Sequence, residues 1–103
     1  MTREAALQAL LIRRQLIDQV DLRILALLNE RAQIVEQIGH IKQSAELPIY
    51  EPRREDQVFR NVTDNNLGPL GSDAVKRVFE RIIDEMRKVQ SDRMEADKKQ
   101  TGN

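Results

Sequence analysis

Apolar positions along the chain fall into three stretches of helical period, separated by two breaks. From about Thr2 to Gln43 there is no Pro, and the only Gly is Gly39. Written as heptads, this stretch has one seam: Leu7, Leu10, Arg14, Ile17, Asp21, Ile24, Leu28, Arg31, Val35, Ile38 and Lys42. Most of these residues are aliphatic, so the pattern predicts one long amphipathic helix. Thr2 is placed to cap its N-terminus, and Glu4 suits the first-turn dipole. Ser44 to Pro52 is the first break, because Pro48 and Pro52 disfavour helix at the residue before each of them. Glu51 then stands as the cap, with Pro52 at the first helical position, where its missing N–H costs nothing. A short second helix is predicted over roughly Arg53 to Asp64, with Val58, Phe59 and Val62 as its apolar content. Asn65-Asn66-Leu67-Gly68-Pro69-Leu70-Gly71 reads as a loop. Ser72 caps a third helix with Asp73 just inside it. Its stripe is Val75, Val78, Phe79, Ile82, Ile83, Met86 and Val89, and Gln90 continues the same face. The reading places one helical domain over residues 1–96 and a polar, fraying tail over 97–103.

The first helix is too long for one chain to cover. At 1.5 Å per residue it reaches roughly 60 Å, whereas a compact domain of this size has a radius of gyration of about 13 Å. The expected fold is all-α: a three-helix chain with one very long N-terminal helix, paired as a two-fold homodimer. Composition narrows the possible functions. The 103 residues carry 17 basic and 17 acidic side chains. That balance argues against a nucleic-acid partner, which needs a basic excess. No run approaches the roughly 20 apolar residues that span a bilayer, and no signal-peptide core opens the chain, so no membrane role is expected. The absence of Cys excludes disulfides and thiolate metal sites and fits a cytoplasmic setting.

Three cations on the seam carry the candidate chemistry. An unpaired charge removed from water is costly. Arg14, Arg31 and Lys42 therefore either snorkel to the surface or meet something anionic. Arg31 and Lys42 are eleven residues apart, almost three turns, which puts them on one face about 16 Å apart along the axis. Two long side chains reaching toward each other leave a gap the size of a small dianion. Arg suits a carboxylate through its bidentate fork, and Lys acts as a single donor. Arg14 lies about 25 Å before Arg31, too far to join the same site from its own chain. In an antiparallel helix dimer it approaches the Arg31 region of the other chain. Asp21 is read as a polar register pin. Arg54 and Glu55, in the first turn of the second helix, are either solvated or add one cation and one acceptor to the ligand site. Gln90 is either a boundary residue or an amide donor in a pocket. His40, with no second His or Cys nearby, is read as a surface residue, and no metal site is expected. No nucleophile–base pair and no Gly-rich phosphate loop appears. An enzyme built from these residues would work by binding and electrostatics alone.

These residues, in this order, resemble the all-helical class of chorismate mutases. The motifs are Arg14, then Ile17-Asp18-Gln19-Val20-Asp21, Leu27-Leu28-Asn29-Glu30-Arg31 and Ile38-Gly39-His40-Ile41-Lys42. Pro48-Ile49-Tyr50-Glu51-Pro52-Arg53-Arg54-Glu55, Val78-Phe79-Glu80-Arg81-Ile82-Ile83 and Gln90 follow. The resemblance covers about Leu7 to Gln90. It implies an intertwined homodimer whose long helices span both subunits, and the cofactor-free rearrangement of chorismate to prephenate in aromatic amino-acid biosynthesis. It implies that Arg31, with Arg14 from the partner chain, binds the two carboxylates. Lys42 and Gln90 would donate to the ether oxygen, Glu55 would accept from the ring hydroxyl with help from the backbone at Glu51, and Arg54 would line the site. Met86 stands where some members carry a small Ser, and Glu51 where some carry Asp. The loop Asn65 to Leu70 resembles the form of this module found alone or fused to an enzyme of early aromatic biosynthesis, so docking to another pathway enzyme is a further possible partnership.

Two alternatives stand beside this reading. Isochorismate pyruvate lyase shares the fold and much of the cationic site. A non-catalytic helical dimerisation or ligand-sensing module would tolerate loss of Gln90 and Glu55.

Overall fold

The computed structural model describes residues 1–101 and consists of three α-helices, α1 (Arg3–Ser44), α2 (Pro52–Asp64) and α3 (Ser72–Thr101). The order and type of the elements are those the apolar periodicity predicts. Thr2 caps α1 as expected: its Oγ1 accepts from the backbone N–H of Ala5 at 3.1 Å. α3 starts at Ser72 itself, and the Gly71 carbonyl accepts from Val75 N–H at 3.0 Å. It continues past Asp97, where the polar tail was placed, as far as Thr101. Gly102 and Asn103, the last of that tail, lie outside the described residues.

The chain divides into two compact units, Met1–Gln33 and the part from Ile34 onward. The first is the N-terminal three-quarters of α1 and nothing else. Leu7, Leu10, Ile17 and Ile24 of the seam are exposed on it, as are Leu11, Leu22 and Leu27 beside the seam. The N-terminal part of the apolar seam, as far as Ile24, is thus uncovered within a single chain.

In the second unit the end of α1 packs against α3. Val35, Gly39 and Lys42 are buried on α1 at i, i+4 and i+7, one stripe of a helix. Val75, Ile83, Met86 and Gln90 are buried on α3. Val78, placed in the α3 stripe by period, is half exposed. α2 lies along α3 with no fully buried residue, and Val58, Phe59 and Val62 are only half-buried. Lys76 Nζ sits 5.6 Å from the centre of the Phe59 ring, a cation–π contact across that seam.

The end of α1 has a local cause. Glu46 takes a left-handed conformation, φ 55°. Leu47 N–H then bonds the Lys42 carbonyl at 2.7 Å, and Glu46 N–H the Gln43 carbonyl at 3.3 Å. This is the Schellman pattern, in which the last orphan carbonyls of a helix are satisfied by a reversed residue. The chain leaves the helix before it reaches Pro48.

At Gly39, α1 comes close to α3. A Cβ built on it would lie 3.5 Å from both Cα and Cγ of Gln90, which is ordinary van der Waals contact. Alanine therefore fits, and it removes the entropic penalty of a mid-helix glycine. Gly39→Ala is expected to raise stability by about 0.5–1 kcal/mol, measured by urea unfolding. A larger side chain there has to push Gln90 aside.

Candidate functional site

Lys42 is the centre of the second unit's polar chemistry. It occupies the last turn of α1, on the buried stripe, and is only 7% exposed. A buried ammonium is tolerated when its charge is paired and its N–H groups are used. Three acceptors from two segments, the linker after α1 and α3, meet it. Nζ donates to the Ile49 carbonyl at 2.9 Å, in the linker after α1. It donates to Gln90 Oε1 on α3 at 3.4 Å. It pairs with Glu51 Oε1 at 2.6 Å, just ahead of α2.

Each partner is held there by its element. Glu51 occupies the N-cap position of α2, with Pro52 following, as the sequence predicts, but its side chain makes no capping bond. The carboxylate turns to Lys42 instead. Gln90 is 8% exposed and packs against the bare backbone of Gly39. Its amide oxygen accepts from Lys42, which leaves its NH₂ group as the donor available to anything else. Met86, one turn earlier on α3, is buried in the same stripe as Ile83 and Gln90.

Glu55 is in the first turn of α2 and half-buried. Arg87 of α3 brings its Nε to 3.4 Å from Glu55 Oε2. The same guanidinium lies 2.6 Å from Asp84 Oδ1 and 5.5 Å from the centre of the Tyr50 ring. Arg87 thus ties α2, α3 and the linker together beside Glu55. Sequence reasoning passed over it. Its only mark is a cation next to Met86, one position off the apolar stripe.

Arg54 is exposed and donates to Gln57 within α2 at 3.4 Å. Arg14 and Arg31 belong to the first unit, Arg14 exposed and Arg31 half-buried. The structure therefore brings together Lys42, Glu51 and Gln90, and sets Glu55 beside Arg87. His40 is at the surface, 69% exposed, with Nδ1 3.6 Å from Asp97 Oδ2. Among the described residues no group of three or more His, Cys, Asp or Glu is placed to hold a metal ion, and no helix is long and apolar enough to cross a membrane.

The family model for chorismate mutase type II matches residues 13–91. The chain belongs to that family. The match takes in Arg14 and Arg31 of α1, the Lys42 cluster and Gln90. Among curated relatives, the bifunctional chorismate mutase/prephenate dehydratase of Neisseria gonorrhoeae is 41% identical over 78 residues, 76% of this chain and 21% of that protein. The protein of the same description from Aquifex aeolicus is 39% identical over 74 residues, 68% of this chain and 20% of its own length. The chain thus spans about a fifth of the length of these curated relatives. Among solved structures, chorismate mutase (Form II) from Thermus thermophilus superposes with a TM-score of 0.77 at 31% identity, covering 84% of this chain and 94% of that one.

Proposed function

We propose that the chain rearranges chorismate to prephenate, without a cofactor, in sites shared between two copies of itself in the cytoplasm. The observation that carries this reading is the buried Lys42 ammonium with the Gln90 amide beside it, in a chain of the chorismate mutase type II family. The reaction is unimolecular, so the protein has two tasks. It holds the extended dianion folded so that the reacting carbons meet, a gain in proximity and orientation. It also meets the negative charge that grows on the ether oxygen as the C–O bond breaks. Donors aimed at that oxygen lower the barrier because they bind the transition state more strongly than the ground state. Lys42 Nζ and the NH₂ group of Gln90 are assigned that role. Arg31, and Arg14 of the partner subunit, take the two carboxylates. Glu55 accepts from the ring hydroxyl with the backbone at Glu51 assisting, and Arg54 and Met86 form part of the lining. The second copy is supported by the uncovered aliphatic seam of α1. The combined names of the bifunctional relatives support an association with another enzyme of aromatic biosynthesis.

The test is to incubate the purified chain with chorismate and, separately, with isochorismate, and to identify the products. Prephenate from chorismate is the expected result. Pyruvate released from isochorismate, with chorismate untouched, would assign the lyase activity instead. No turnover of either would leave a binding or dimerisation module.

A further inference from the structure

An ammonium has three N–H groups, and Lys42 has three acceptors around it: the Ile49 carbonyl, Gln90 Oε1 and Glu51 Oε1. A ligand oxygen gains a bond from Lys42 when one of these yields its place. Two of the three are fixed by their surroundings. The Ile49 acceptor is main chain, and Gln90 is buried against the backbone of Gly39. Glu51 is different. Its side chain is 49% exposed, it makes no capping bond to α2, and rotation about its own torsions carries the carboxylate into water.

We infer that Glu51 is a built-in counter-anion which an anionic substrate displaces from Lys42, so that it sets substrate affinity by competition. This inference rests on the functional reading above. The exchange suits a dianion in particular. Lys42 gives up one carboxylate and gains ligand oxygens, so its burial is compensated before and after binding. The displaced Glu51 carboxylate regains solvent. Substrate and transition state both require the exchange, so it falls on binding rather than on the chemical step.

The experiment compares wild type, Glu51→Gln and Glu51→Asp in steady-state chorismate turnover, with competitive inhibition by prephenate as a second readout. Gln is isosteric, keeps an amide oxygen within reach of Lys42 and removes no capping bond. It takes away the charge that pairs the buried ammonium, so folding is verified by circular dichroism and an unfolding curve beside turnover. Glu51→Gln is expected to raise kcat/KM about three- to fivefold, carried by a lower KM, as removal of a partly exposed ionic competitor allows. The prephenate inhibition constant should fall in parallel, and Glu51→Asp, which keeps the charge, should stay nearer wild type. A purely structural Glu51 would not tighten the binding of substrate and product together. An unchanged or higher KM for Glu51→Gln, or a lower kcat, overturns the inference and makes Glu51 a support for Lys42 instead. Wild-type protein that leaves chorismate untouched overturns the functional reading, and this inference with it.

Discussion

Lys42→Ala is expected to lower chorismate turnover at least about a hundredfold, the usual consequence of losing one preorganised donor to a developing oxyanion. The loss should appear in kcat, because the bond to the ether oxygen strengthens as charge develops there. The structure adds a condition to the measurement. Lys42 also binds the Ile49 carbonyl, Glu51 and Gln90, so its removal leaves three acceptors without their donor. Gln90 Oε1 is the buried one of the three, whereas Glu51 is half exposed and regains water. An unsatisfied buried acceptor costs about 1–3 kcal/mol, which competes with the catalytic effect if the protein loosens. Turnover is therefore read beside circular dichroism and an unfolding curve, with Lys42→Gln as a variant that keeps a donor in place. A folded Lys42→Ala protein with near-normal kcat would remove Lys42 from the reaction.

Mixing Arg14→Ala with Arg31→Ala should restore activity that neither variant has alone. If the two arginines meet across the dimer, a mixed dimer holds one site with both intact and one with neither. Random pairing makes about half of the dimers mixed, so about a quarter of wild-type activity is expected. No restoration after verified exchange would mean that Arg14 of one chain does not serve the site of the other. The experiment is decisive because Arg14 and Arg31 are seventeen positions apart on one helix and cannot share a small ligand from the same chain.

Most of the fold was legible in the sequence because the signals were local. Thr2 and Pro52 are residue types with fixed meanings at helix N-termini, and both stand where those meanings place them. The stripe from Val75 to Gln90 follows from period alone, apart from Val78, which falls at its edge. The end of α1 was legible to within one residue, but its cause was not. Two prolines suggested the stop, and the turn is made ahead of them by Glu46 in a left-handed conformation, where no Gly or Asn advertises it. The sequence marks Gly39 only as the single glycine of the long helix. It is where α1 comes close enough for Gln90 to pack on its backbone.

Lys42 and Gln90 stood out as polar residues on apolar stripes, and burial is what made them stand out. Glu51 and Arg87 gave no such signal. Each is a charged residue in a charged neighbourhood, and what distinguishes it is its partner: Lys42 for Glu51, and Glu55 with Tyr50 for Arg87. Those pairings depend on how three segments converge, which no spacing along the chain encodes.

The uncovered aliphatic face of residues 7–27 also makes folding a matter of concentration. A lone helix in water is marginal without something packed on its apolar side. If a second copy supplies that cover, dissociation and unfolding become one equilibrium, and its midpoint depends on how much protein is present. Each tenfold dilution then removes about 1.4 kcal/mol from the dimer. The melting temperature should fall on dilution, and scans at several concentrations read this directly. Subunits would trade places only by passing through a state that has lost the long helix, so mixed dimers form readily on joint refolding and slowly between native proteins.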